Sequence, residues 1–191
     1  MLQRLFIPIL HGTVRPQSQS GHVAQLIFNK VSANPEIETF LFQPEKMNLD
    51  FTDEGEDLKT RYPAYRDAII RADGLIIVSP EYNHGYPATL KHVLDLLYPE
   101  YLHKPVGLIG VSDGLLGGAR MIENLTPVLK ILGLTLINKD MRFAKIDEMF
   151  TTEGELKTEF IKDVESQYQK FIKELLWMVK TLRYGRQTFP V

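Results

Sequence analysis

Three short stretches of this sequence concentrate the residue types that chemistry needs. "HGTVRPQSQSG" (11–21) offers hydroxyls at Thr13, Ser18 and Ser20 and a guanidinium at Arg15. "SPEYNHGYP" (79–87) sets Glu81, Tyr82, Asn83 and Gly85 between Pro80 and Pro87. "SDGLLGGA" (112–119) follows Ser112 and Asp113 with Gly114, Gly117 and Gly118. A helix N-terminus attracts phosphate through unpaired N–H groups and its dipole. Hydroxyls and an arginine fork add donors to the phosphate oxygens. A flat ring with donors and acceptors along its edge suits backbone groups at Glu81, Tyr82 and Asn83, with Tyr82 as a packing surface. The two prolines stiffen that loop and reduce the ordering cost of binding. Glycines admit close approach of backbone to a ligand, and a positive φ is expected at Gly85.

Each stretch also has a plainer reading. The first fits an N-capping serine beside a solvated arginine equally well. The second fits a rigid surface loop with Tyr82 and Tyr86 packed as ordinary aromatics, and the third fits a common strand-to-helix turn. No GxxxxGK[ST] or GxGxxG is present, so neither a P-loop nor a classical dinucleotide fingerprint is found. No G-x-S-x-G supplies a hydrolase nucleophile. His11, His22, His84, His92 and His103 form no H-E-x-x-H or close pair, so no metal site is expected. His84 lies in the second loop, where a solvent-facing histidine is the simpler reading.

The totals narrow the classes further. The 191 residues suit one domain of ordinary size, and 1–191 is expected to be a single unit. Lys and Arg total 22 against 24 Asp and Glu, a net charge of -2. That balance points to no nucleic-acid or membrane-surface partner, and lacks the acidity of a small electron carrier that docks on basic partners. The absence of cysteine excludes disulfides, thiolate nucleophiles, iron–sulfur clusters and Cys-based zinc sites. Redox chemistry here therefore needs a bound cofactor. The apolar start "MLQRLFIPIL" is short and has no small-residue cleavage site after it. No run approaches the ~20 apolar residues of a membrane span. A cytoplasmic, unprocessed chain is expected.

The elements that must position the three loops alternate along the chain. Strands are expected at 4–10 (locally irregular at Pro8), 37–42, 75–79, 105–112 and 134–138. Helices are expected at 20–33, 65–73, from Pro87 to a stop at Pro99, 119–133 with Pro127 inside, and 155–182. The segment 43–61 reads as a long surface loop, either a lid on the site or, more simply, a solvated acidic stretch. Residues 184–191 are expected to form a loose tail. This alternation specifies an α/β fold with helices on both faces of a five-stranded parallel sheet. At this length the order is expected to be 2-1-3-4-5, a flavodoxin-like three-layer sandwich. Ligands of such sheets bind beyond the carboxyl ends of the strands, which is where all three loops fall.

The combination G-T-x-R…S-x-S, P-E-Y-N-H-G-Y-P-A-x-L-K and S-D-G…G-G-A-R resembles the NADPH-dependent FMN reductase family, over most of residues 4–140. That family includes quinone, chromate and azo-dye reductases on a flavodoxin-like fold. The resemblance implies that Thr13, Arg15, Ser18 and Ser20 hold the FMN phosphate, with Gln17 in the same loop. It implies that Pro80, Glu81, Tyr82 and Asn83 line the isoalloxazine. Ser112, Asp113, Gly114 and Gly117 would meet the ring or the ribityl chain. The phosphate loop departs from the family pattern at Gln17 and Gln19, where members often carry Gly, Arg or an aromatic. The expected activity is an FMN-dependent oxidoreductase using NADPH or NADH and reducing a quinone, an azo compound, a metal oxyanion or free flavin. The flavin carries the chemistry, and no side chain is assigned a catalytic role. A homodimer or homotetramer is implied by the likeness. The alternative is a flavodoxin-like electron carrier without its own NAD(P)H oxidation.

Overall fold

The computed structural model describes residues 4–50 and 60–189. Its strands are β1 (Leu5–Phe6), β2 (Ile9–His11), β3 (Ile37–Glu38), β4 (Leu41–Phe42), β5 (Leu75–Pro80), β6 (Pro105–Val111), β7 (Thr135–Leu136) and β8 (Met141–Phe143). Its helices are α1 (Gln19–Ser32), α2 (Pro63–Arg71), α3 (Ala88–Asp95), α4 (Ala119–Ile131), α5 (Ile146–Met149) and α6 (Thr158–Thr188). Short 3-10 turns occupy Pro44–Lys46 and Pro99–Tyr101.

Every ladder is parallel. β2 pairs with β4 and β5, β5 with β6, and β6 with both β7 and β8, while β1 pairs with β3. With β1–β2, β3–β4 and β7–β8 each counted as one interrupted strand, the path runs 2-1-3-4-5. The interruptions have local causes. Pro8 carries no N–H and breaks the first strand, although its carbonyl still accepts from Ile76 N–H. The last strand was expected at 134–138. It pairs only at Thr135–Leu136 and resumes at Met141–Phe143, because the four residues between Leu136 and Met141 lie opposite the two between Val106 and Ile109.

The central strand shows why its sequence is apolar throughout. Side chains alternate across a strand, and both faces here are covered. Ile76 and Val78 join a core with Val23 and Ile27 of α1 and with Phe171, Leu175 and Val179 of α6. Leu75 and Ile77 join a second core with Ile69 of α2, Leu90 and Val93 of α3, and Met121 and Leu125 of α4. Helix boundaries differ from the expected ones in three places. Pro87 is the extended cap residue before α3 rather than its first turn, and α3 ends at Asp95. Helix α6 starts at Thr158 and runs to Thr188, taking in most of the expected loose tail. Arg186 holds that end down, donating to the carbonyls of His103 at 2.6 Å and Asp73 at 3.3 Å. Of the expected loop 43–61, residues 51–59 lie outside the described residues.

Two contacts lend themselves to test. Gly107 of β6 lies under Phe171, and a Cβ there would fall 2.4 Å from Phe171 Cζ. Gly107→Ala should destabilise by about 1–3 kcal/mol through overpacking, lowering Tm by roughly 2–4 °C per kcal/mol. Adding Phe171→Leu should restore part of the loss. An unchanged Tm for Gly107→Ala would show that α6 is not seated there.

Buried Lys104 donates to the carbonyls of Ile69 and, at 3.0 Å, Ile70 at the end of α2. Burial, and then the charge of Arg186, pull its pKa from 10.5 to about 8. Between those two values the unfolded chain holds a proton that the folded chain lacks, so this group's contribution to stability rises with pH. Denaturant titrations at pH 7.5 and 9.5 should show wild type gaining relative to Lys104→Met; a difference independent of pH would contradict the shift.

Candidate functional site

The loops leaving β2, β5 and β6 are neighbours because those strands are neighbours. Gly12 lets the first two meet: a Cβ there would lie 2.6 Å from Ser79 Oγ and 2.8 Å from Ser79 Cβ. Neither Gly12 nor Ser79 was singled out from the sequence.

In the first loop Thr13 is buried and its hydroxyl shares a 3.0 Å hydrogen bond with the Tyr82 hydroxyl. The Arg15 N–H donates to Thr13 Oγ1 at 3.2 Å. The Arg15 guanidinium sits over the Tyr82 ring, 4.8 Å from its centroid, a cation–π contact. Gln17 adopts a left-handed φ of 52°, which turns the chain into α1. Ser18 is the N-cap of α1, but its side chain makes no capping bond and no acidic residue stands in the first turn. The first turn of this helix therefore brings no carboxylate of its own to its positive end. Beneath it lies His11, 3% exposed, with Nε2 at 2.9 Å from Ser20 Oγ and 3.4 Å from Ser18 Oγ. Burial lowers the His11 pKa from its ordinary value, with Glu45 opposing. Sequence reasoning weighed His11 only as a metal ligand; its place as the last residue of β2 was the available signal.

The second loop is a tight hairpin. Tyr82 and Gly85 exchange N–H···O bonds of 2.9 Å in both directions, and Asn83 and His84 between them have φ of 48° and 65°. Two consecutive left-handed residues are the signature of a type I′ turn. The positive φ expected at Gly85 is thus at Asn83 and His84, and a Cβ on Gly85 would meet only Tyr82 O at an ordinary 3.6 Å. The tip is braced on α4. Arg120 Nη1 donates to His84 Nε2 at 2.6 Å and Asn124 Nδ2 donates to His84 O at 2.6 Å. The Met121 N–H reaches Glu81 Oε2 at 3.4 Å, placing a carboxylate at the positive end of α4. Glu81 N–H donates to Val111 O and Tyr82 N–H to Gly85 O. Pro80 O accepts the Ser79 hydroxyl at 3.1 Å. Of the expected backbone donors at Glu81, Tyr82 and Asn83, the first two are engaged within the protein. Asn83 is exposed at the tip.

The third loop is held from below. Ser112 N–H donates to Phe143 O, Ile146 N–H to Ser112 O and Lys145 N–H to Gly114 O. Ser112 Oγ accepts from Gly118 N–H at 3.2 Å and donates to Gly114 O at 3.3 Å. Gly117 and Gly118 have φ of 58° and 82°, and a Cβ on Gly118 would lie 2.6 Å from Val111 N. These glycines let the start of α4 pack closely on β6. Asp113, Gly114, Leu115 and Leu116 form the exposed rim. The supporting segment 143–146 was not expected from the sequence.

The three loops form one surface: a hydroxyl- and arginine-bearing niche at α1, the Tyr82 ring beside it, and the rims at Asn83 and Asp113. An FMN fits this set. Its phosphate would meet Ser18, Ser20 and Arg15 at the N-terminus of α1, whose first turn carries no acidic residue. A separate cavity of about 310 Å³ opens beside β4, with Phe40, Met47, Tyr62 and Tyr65 in its wall, and contains none of these residues. Among the described residues no group of three or more metal-ligating side chains gathers.

A family model described as NADPH-dependent FMN reductase matches residues 7–147. The quinone reductase of Escherichia coli (strain K12) is 31% identical over 147 residues, covering 73% of this chain and 77% of that protein. The FMN-dependent NADPH-azoreductase of Staphylococcus haemolyticus is 25% identical over 150 residues, covering 73% and 80%. Among solved structures, FerB, a flavoenzyme NAD(P)H:(acceptor) oxidoreductase from Paracoccus denitrificans, superposes with a TM-score of 0.72 at 22% identity, covering 92% of this chain and 98% of that one. The fold is flavodoxin-like, and the chain belongs to the NADPH-dependent FMN reductase family.

The hairpin geometry separates two substitutions. Asn83→Val forces a β-branched residue to a φ of 48° and should destabilise by roughly 1–3 kcal/mol. Gly85→Ala should change stability by less than about 0.5 kcal/mol, the range of an unremarkable surface substitution. Thermal melts of both variants check this, and the reverse order would refute the turn.

Proposed function

We propose, with membership of this family as the premise, that the chain is a flavin-dependent oxidoreductase passing electrons from NADPH or NADH to a small aromatic acceptor such as a quinone or an azo compound. Bound FMN supplies the hydride-accepting and electron-donating chemistry. The protein's own residues bind and orient. Ser18, Ser20 and Arg15 anchor the phosphate at the N-terminus of α1, beside Gln17, whose left-handed turn starts the helix. Thr13 holds the Tyr82 hydroxyl, so the phosphate niche and the ring surface keep a fixed relation. Pro80, Glu81 and the braced hairpin set the height of Asn83 along the ring edge. Ser112, Gly114 and Gly117 shape the third loop, with Asp113 on its rim.

The observation that carries this reading is the joint held by Tyr82, which links two of the loops through the Thr13 hydroxyl and the Arg15 guanidinium. Such pre-organisation is what a ring-and-phosphate ligand needs to bind without ordering the loops itself. A carrier that only relays electrons between proteins is less well supported, since the net charge of -2 gives little steering toward a basic partner. We read residues 1–191 as one cytoplasmic unit that works as a homodimer or homotetramer. Leu115 and Leu116, exposed beside the site, supply apolar surface for such an assembly. Among the described residues no helix is long and apolar enough to cross a membrane.

The purified protein should carry flavin absorbance that co-elutes with it, or acquire it on adding FMN. It should oxidise NADPH in the presence of benzoquinone with no added reductase. Arg15→Ala should weaken FMN about tenfold or more, the scale of one charge-assisted bond, while riboflavin, which lacks the phosphate, changes little. A folded sample that binds no flavin sinks the proposal; equal losses of FMN and riboflavin sink the placement of the phosphate.

A further inference from the structure

The buried histidine under the first loop has a role that follows from counting hydrogens. A neutral imidazole has one nitrogen that donates and one that accepts, and a serine hydroxyl has a single proton. Ser20 Oγ stands 2.9 Å from His11 Nε2 and donates to Ser18 Oγ at 3.3 Å. In that arrangement Ser20 has no proton left for the ring, and Nε2 carries the hydrogen of the shorter contact. His11 Nδ1 is buried and has no hydrogen-bond partner among the described residues. A bare lone pair is tolerable there, whereas a second N–H would be a desolvated donor with nothing to receive it. The facing charged group is Glu45, which opposes the effect of burial without overcoming it.

The direction of this chain matters because a phosphate accepts and does not donate. If Nε2 accepted from Ser20, the serine would show only lone pairs to the niche and repel a phosphate oxygen. With Nε2–H donating inward, neither serine spends its proton on the ring: Ser18's is free to turn outward, and Ser20's leaves Ser18 for a phosphate oxygen when one is bound. We propose that His11 is a positioning residue that holds the Ser20 and Ser18 hydroxyls as donors toward an anionic phosphate, so that the protein prefers a phosphorylated flavin to its unphosphorylated form. The inference rests on the phosphate placement proposed above. It adds to that placement a residue that touches no ligand and acts through another side chain.

The test uses the full chain and three measurements. Long-range 15N–1H correlation spectra at pH 7 should show His11 as the Nε2–H tautomer before any flavin is added. A Nδ1–H tautomer, or an imidazolium, overturns the proposal. His11→Leu keeps an apolar fill and removes the donor, so its affinity for FMN should fall about tenfold while that for riboflavin stays within about twofold. His11→Gln returns a donor near the Nε2 position and should recover most of the FMN affinity. Equal losses for both flavins in His11→Leu, or no recovery in His11→Gln, would mean that the histidine only fills space. Should His11→Leu fail to fold, Ser20→Ala takes its place and must show the same selective loss of FMN; a loss shared by both ligands again overturns the idea. Failure of the underlying flavin reading looks different: wild type would bind neither FMN nor riboflavin, and this inference would fall with it.

Discussion

The structure depends on β5 lying between β2 and β6 with both faces buried. The ladder pairs Ile9 with Ile76 and Ile77 with Leu108, so three strand ends stop side by side. Everything polar at the site is appended to those ends. A parallel ladder surrounded by helices leaves no freedom of register, because a slip by one residue would exchange the side chains between two differently shaped cores. The loops thus receive their positions from apolar packing well below them, and their own sequences need only make the last few bonds.

Those last bonds divide the labour unevenly. Tyr82 is the shared member: its hydroxyl meets Thr13, its ring meets Arg15, and its backbone closes the hairpin. Glycine serves geometry rather than chemistry. At Gly12 it lets a loop touch a neighbouring strand, and at Gly118 it lets a helix start close to the backbone of β6. The third loop, with three glycines in its sequence, owes its shape to the close fit of Gly110 against Gly117 and to bonds from Ser112.

The parts legible in the sequence were those governed by short-range rules. The apolar run at 75–79, with β-branched Ile76, Ile77 and Val78, announced a strand buried on both sides, and Pro-Glu-Tyr-Asn announced a built loop at its end. What escaped depended on partners distant in sequence. The positive φ was assigned to glycine, the residue that favours it most, yet reciprocal bonding between Tyr82 and Gly85 moved it to Asn83 and His84. The fifth strand broke because two residues had no room in the ladder, a fact visible only against β6. The last helix outran its apolar stripe because Arg186 found carbonyls near residues 73 and 103. His11 looked like one more isolated histidine until Ser18 and Ser20 came round to it.

The bracing of the hairpin by Arg120 and Asn124 has a consequence for motion. Fixing a residue's backbone removes roughly 1–2 kcal/mol of conformational freedom, and for residues 82–85 that loss accompanies folding itself. The hairpin and α4 then move as one body. The Tyr82 and Gly85 amide hydrogens are each held by the other residue's carbonyl, so their exchange with solvent needs a local opening of the hairpin. A tongue of this kind keeps its shape while its outward side chains vary, so mutation can alter what the exposed tip touches without retuning the scaffold that carries it.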